Sequence, residues 1–324
     1  MLKTVNIFME KKMPYMTPVS VLVGLVFATS FQSWVMAVPW IFAFITLSSS
    51  LGIKIGKLKD AVVHPAPLLV SLLIIQIILP SIAYGVGTLF FGANSLTAVG
   101  MLIAFVIPTG VISLMWVSIY KGNSSVSLLI VLVNTLLSPV LIPFSLQLFA
   151  GATIDFNTFA LMKNLIFMIV IPSILGILIN YLPFTQNKDI KGRFAPFSKL
   201  GLLVVIAVNS SVAAPVISFN WELLQIIIAM FFLSSIGYGL GMIAANWLRV
   251  SNEIKISLLY NCGMRNVSVG ATIAILYFPP EVAVPVIAAT LLQQILAANY
   301  GRILVNYLKK NELRREGELK KAAR

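Results

Sequence analysis

Apolar runs of about 20 residues recur along the whole chain with short polar breaks between them, and a run of that length is what a helix needs to cross a bilayer's hydrocarbon. Nothing else in the sequence limits the fold so strongly. Backbone groups in lipid must be paired within their own segment or within a closed barrel. The runs are continuous rather than alternating, so the chain reads as an all-α membrane protein. Composition agrees, with 59% hydrophobic and 10% charged residues against roughly half and a quarter in soluble domains. The opening MLKTVNIFMEKKMPYM is too polar for a cleaved leader and has no small-residue cleavage site, so the first run is read as a membrane helix. The lone cysteine, Cys262, excludes an internal disulfide, and the lone histidine, His64, excludes a histidine-built metal site.

The chain divides into ten predicted spans, at about 15–33, 38–53, 66–91, 96–120, 125–149, 159–182, 197–217, 223–247, 252–278 and 283–308. His64 beside Pro65 reads as a loop residue between the second and third spans. With the N-terminus in the cytoplasm, the cytoplasmic loops, span ends and both termini hold every Lys and Arg except Lys163 and Arg265. The opposite loops carry Asp155, Glu222 and Glu281. This positive-inside pattern explains a net charge of +13 without a nucleic-acid partner, and it places both ends inside a plasma or inner membrane. The tail KKNELRREGELKKAAR reads as a solvated or headgroup-bound helix end.

Five spans per half means that the second half enters the membrane inverted. Residues 1–150 form the first repeat and 151–324 the second, together one transporter unit. In each half the fourth span is interrupted, by Pro108-Thr109-Gly110 in the first and by Cys262-Gly263-Met264 in the second. Paired interruptions of this kind point to a midplane site in a secondary transporter, where half-helix N-termini and freed carbonyls face each other. The half-helices after the breaks are predicted to start near Ile112-Ser113 and near Asn266.

Arg265 sits in the second break, and an arginine at that depth costs about 2.5–3.5 kcal/mol on insertion scales, which marks it as functional. It needs a partner, and no carboxylate lies at its depth. The available partners are carbonyls of the facing break, amides such as Gln76 and Asn261, and an anionic substrate. The carbonyls are expected to hold the guanidinium in place, with its residual field favouring an organic anion. Thr109, Ser113, Asn266 and Asn299 are the further candidate substrate contacts.

These residues carry a resemblance. LGIKIGKLKD after the first helix pair, Gln76 with Pro80, PTGVISLMW, KGNSSVSLLIVLVNTLLSP, SSIGYGLGM and NCGMRN together make the sequence similar to the bile acid:sodium symporter family over nearly its whole length. The resemblance implies ten helices in two inverted five-helix repeats, discontinuous fourth and ninth helices, a panel domain from spans 1, 2, 6 and 7, and a core domain from spans 3, 4, 5, 8, 9 and 10. It also implies an organic anion moved with sodium. Gln76, Ser113, Ser127, Asn261, Cys262, Met264 and Arg265 fall at the positions of the ion sites.

The departures bear on sodium. Sodium-dependent members have Glu-Val-Gly-Met-Gln-Asn where this chain has Asn261-Cys262-Gly263-Met264-Arg265-Asn266, and a Ser-Asn pair and a threonine become Ser113-Leu114 and Val131. A sodium ion about 4 Å from the guanidinium would meet about 1–4 kcal/mol of repulsion. Arg265 is therefore expected to stand in for the second sodium ion, leaving uniport or proton-linked transport. The rival expectations are sodium coupling and a direct clamp of Arg265 on a substrate carboxylate. A small carboxylate such as a keto acid or a pantothenate-like acid fits as well as a bile acid. Outside this class, a metalloid or organic-acid effluxer of a related fold would share the breaks, with Cys262 as the tempting ligand. A membrane enzyme is not expected, since no histidine and no acid lies at the depth of the break.

Overall fold

The computed structural model describes residues 2–51, 53, 65–110, 112–151, 156–182 and 189–322. His64, Asp155 and most of the two loops 52–64 and 183–188 lie outside the described residues. All regular structure among the described residues is helical. The principal helices are α1 (Leu2–Val26), α2 (Ala28–Gln32), α3 (Val38–Ser50), α4 (Pro65–Phe91), α5 (Leu96–Val106), α6 (Ile112–Ile119), α7 (Ser124–Ala150), α8 (Thr158–Ile179), α9 (Ile190–Ala213), α10 (Trp221–Trp247), α11 (Asn252–Gly263), α12 (Val267–Tyr277) and α13 (Ala283–Ala322).

Six of these helices, α4, α7, α8, α9, α10 and α13, contain or form stretches long and apolar enough to cross a membrane. The remaining predicted spans fall on helices that are shorter, more charged or divided. The first is α1, which begins at Leu2 because its charged opening turns pack on α9, where Lys199 pairs with Glu10 at 2.7 Å and also donates to Asn6. The second is the shorter α3, and the fourth and ninth are each two short helices. Helix α9 likewise starts earlier than predicted, at Ile190, with the Asp189 carboxylate accepting from the Gly192 N–H as its cap. Helix α13 continues past 308 to Ala322.

Local chemistry accounts for the irregularities. Pro80 has no N–H to return to the preceding turn, and that turn, Ile74–Ile78, widens into a π-turn. The same happens at Ile166–Val170 before Pro172. Asparagine side chains cap three long helices: Asn123 accepts from Val126 N, Asn157 from Ala160 N and Asn220 from Leu223 N.

Helices α1, α3, α8 and α9 pack on one another, while α10 lies along α11, α4 along α5, and α13 against α5, α10 and α12. In the SSIGYGLGM run the backbones come close, so that a Cβ at Gly237 would sit 2.8 Å from the Cys262 carbonyl oxygen. Large apolar side chains such as Leu89, Phe144, Ile243 and Trp247 are exposed on the outer faces, the pattern of a surface that meets lipid rather than water.

Candidate functional site

The site is where the two interruptions meet. A proline disfavours helical backbone at the residue before it, and Ile107, before Pro108, is extended with ψ of 152°, which ends α5 and leaves residues 107–110 non-helical. The second interruption has no proline. Helix α11 runs to Gly263, Met264 turns extended with ψ of 136°, and α12 starts at Val267 with Asn266 at its N-cap. The break thus lies at residues 264–266, two residues beyond the predicted Cys262-Gly263-Met264. What stabilises it is the other break. Pro108 offers a carbonyl with no helical partner, and the Asn266 N–H, which a helix start leaves unused, donates to it at 2.9 Å. A Cβ at Gly110 would lie 3.0 Å from the Arg265 carbonyl oxygen, so only glycine lets the two strands of backbone come this close without displacement.

Five of the positions named from the sequence, Gln76, Thr109, Ser113, Ser127 and Asn261, belong to one buried hydrogen-bonded network. Thr109 Oγ1 donates to the Asn261 carbonyl at 2.9 Å, and Ser113 Oγ donates to Asn261 Oδ1 at 3.3 Å. Asn261 Nδ2 gives its protons to Ser127 Oγ and to the Ser257 carbonyl, both at 2.7 Å. Asn134, to which the sequence attached no role, extends the network by donating to Thr109 Oγ1 at 3.4 Å and accepting from Gln76 Nε2, leaving Gln76 Oε1 buried without a partner. Cys262 and Met264 are buried in apolar packing on either side of Gly263. Asn266 is half-buried, and its side chain makes no cap hydrogen bond. Asn299 is exposed on α13 and is not joined to this network.

Arg265 stands apart from the network. Its side chain is buried, and Nε, Nη1 and Nη2 have no hydrogen-bond partner among the described residues. The expectation that carbonyls of the facing break hold the guanidinium is not met: Pro108 O accepts from Asn266 N and Gly110 O from Ser113 N, and neither takes a guanidinium N–H. Asn261 is engaged elsewhere, and Gln76, although its Oε1 has no partner among the described residues, makes no bond to Arg265. Instead Arg265 opens on a small cavity of about 10 Å³, room for about one water, lined also by Ala104 and Phe105 of α5, Ser234 and Tyr238 of α10, and Ala289 and Gln293 of α13. The Tyr238 hydroxyl is likewise buried and without a partner. Gln293 Oε1 accepts from the Arg265 backbone N–H at 3.0 Å, so α13 fixes the main chain and leaves the head group free.

Three further polar residues matter here that sequence reasoning passed over. Gln293 and its neighbour Gln294 tie α13 to both interruptions, the second by accepting from Trp116 Nε1 at 3.1 Å. Asn209 of α9 donates to the Ser268 carbonyl at 3.2 Å and to Thr272 Oγ1 at 3.1 Å, the buried polar link between α9 and α12. Each was visible as an amide inside an apolar run, though only the packing says where it points.

The donor set does not suit a sodium ion at the Asn261 position. A sodium ion needs lone pairs, and Asn261 presents two N–H groups to the serine oxygens around it, with a guanidinium one residue beyond Met264. Among the described residues no group of three or more His, Cys, Asp or Glu side chains could hold another metal ion.

Comparison with known proteins gives a match to the model of the sodium bile acid symporter family over residues 39–220. A Bacillus subtilis (strain 168) protein named only as uncharacterized protein YbaS is 42% identical over 294 residues, 90% of this chain and 96% of that protein. A second protein of the same organism, named as uncharacterized sodium-dependent transporter YocS, is 27% identical over 274 residues, 81% of this chain and 83% of that one.

Proposed function

The chain belongs to the sodium bile acid symporter family, and from that premise we propose that it is a secondary transporter of a small organic carboxylate that works without sodium. It is a multi-pass membrane transporter and not an enzyme. One observation carries the finer reading: a buried guanidinium whose three nitrogens find no partner among the described residues, beside the contact of two interrupted helices. Such a charge in a low-dielectric surround favours an anion strongly, and bidentate N–H···O geometry suits a carboxylate.

In this reading the two short helix pairs are single discontinuous spans, the fourth and ninth of ten. The halves are inverted repeats, with α1, α3, α8 and α9 as the panel and the remainder as the core, and both termini lie in the cytoplasm. The anion docks at the crossing against Arg265, the free side chain of Asn266 and the start of α6 at Ser113, with Thr109 alongside and Asn299 reached only after rearrangement. Arg265 supplies the positive charge that sodium supplies elsewhere, and Asn261 fills its own polar surroundings with N–H groups. The printed name of the second relative favours another reading, sodium-coupled symport, and the unpaired Gln76 Oε1 is the one acceptor here that a cation would use.

Thermal stabilisation of the detergent-purified protein decides between them, measured against keto acids, pantothenate and bile acids with sodium present or replaced by choline. Stabilisation by an acid in choline is the expected result. Stabilisation only with sodium would overturn sodium independence, and none with any acid would overturn the carboxylate.

A further inference from the structure

Resting on the reading that a carboxylate crosses at the break, we infer that the protein is an anion exchanger, in which a second organic anion moving the opposite way returns the carrier. The inference starts from what the protein does not supply to Arg265. Among the described residues no Asp or Glu pairs with it, the Pro108 and Gly110 carbonyls of the facing break accept from the Asn266 and Ser113 backbone N–H groups, and the Gln293 amide oxygen accepts from the Arg265 backbone; none of them takes a guanidinium N–H. The counter-charge therefore has to be cargo.

Alternating access takes the site through a geometry shut to both sides. A guanidinium in that geometry is desolvated on all sides, and a desolvated charge is costly unless it is paired and hydrogen-bonded. With a carboxylate bound the pair is neutral and its N–H groups are satisfied; without one the same step carries a bare buried charge. The loaded carrier changes face readily, and the unloaded carrier does so slowly. Release on one side must then be followed by capture of another anion on that side before the carrier returns.

A second observation weighs against the other routes. Return on a proton needs an acid or base that titrates readily at the crossing; its polar network is built from Gln76, Thr109, Ser113, Ser127, Asn134 and Asn261, all neutral amides and hydroxyls, and the titratable groups beside it, Cys262 and Tyr238, are a buried thiol and a buried phenol. Return on a cation needs several free lone pairs, and Asn261 turns N–H groups toward Ser127 and Ser257, which leaves Gln76 Oε1 as the unpaired acceptor of this network. Tyr238 adds detail to the anion site: its unpartnered hydroxyl opens on the cavity shared with Arg265 and can donate a further hydrogen bond to the carboxylate.

The test is uptake into liposomes carrying the full chain in sodium-free choline buffer, with labelled pyruvate or pantothenate outside, whichever stabilises the purified protein more. The liposomes contain either the same unlabelled acid or buffer alone. Internal acid is expected to speed initial uptake by about tenfold or more, because each return then carries a neutralised site. Arg265→Gln, which removes the charge, is expected to bring that ratio close to one, and Tyr238→Phe to raise the half-saturating concentration. If Arg265→Gln does not fold, the wild-type ratio decides alone. Uptake at equal rates with and without internal acid overturns exchange and leaves carboxylate transport standing. Neither stabilisation nor uptake with any acid overturns the transport reading, and exchange with it.

Discussion

Asn261 is the hub of the polar network, and its truncation gives the sharpest test of the site's construction. The side chain accepts from Ser113 at 3.3 Å and donates to Ser127 and to the Ser257 carbonyl at 2.7 Å each. Three bonds at a net 0.5–1.5 kcal/mol give about 1.5–4.5 kcal/mol, with the 3.3 Å bond at the weak end. Asn261→Ala also strands the buried hydroxyl of Ser127, at about 1–3 kcal/mol, so that the whole loss comes to about 2.5–7.5 kcal/mol. Ser113→Ala removes only the long bond and should cost about 1 kcal/mol. The two variants, purified in the same detergent, are compared by apparent melting temperature. Asn261→Ala should melt lower than Ser113→Ala by several degrees. Equal shifts would mean that Asn261 does not bind the two interruptions together, and the network would lose its centre.

Two more predictions follow from single contacts. If Asn261 and Arg265 jointly exclude sodium, the double substitution Asn261→Glu with Arg265→Gln will acquire sodium-dependent thermal stabilisation that neither single change brings; a double variant blind to sodium would show that the exclusion lies elsewhere. A Cβ at Gly263 would lie 2.3 Å from the Tyr238 ring, which is fully buried and stacked on Tyr300 at 4.6 Å, so Gly263→Ala should destabilise by about 1–3 kcal/mol. A Cβ at Gly239 meets nothing within 4 Å, and Gly239→Ala in mid-helix should be neutral or gain up to about 1 kcal/mol; equal melting of the two glycine variants would refute the packing argument.

The apolar runs made the helices legible because span length and continuity are properties of the chain alone. Interior boundaries came close: α7 and α10 begin and end within two residues of the predicted 125–149 and 223–247. Boundaries failed where a second helix supplied what water would otherwise supply, as at the start of α1, whose polar turns meet Lys199 across 189 residues of sequence. The first interruption was legible for the same local reason that causes it, a proline acting on the residue before it. The second has no such cause. Its position depends on the Pro108 carbonyl, which lies on a different helix, so the sequence could mark NCGMRN as unusual but not say which residue leaves the helix.

The partner of Arg265 was illegible for a related reason, and the way the structure treats this residue argues for function over packing. An arginine retained for stability would have its head group satisfied, since an unpaired buried charge is worth less than an apolar side chain of the same volume. Here the backbone around it is fixed on three sides, by Gln293 at its N–H, by Gly110 against its carbonyl, and by the bond from Asn266 to Pro108 at the next residue. The guanidinium at the end of that rigid support is left unmatched. A held base with a free charged head suits a group whose partner comes and goes. The nearby amides are meanwhile bonded among themselves, Gln76 donating to Asn134, Asn134 to Thr109 and Asn261 to Ser127, and among the described residues none of them takes a guanidinium N–H of Arg265.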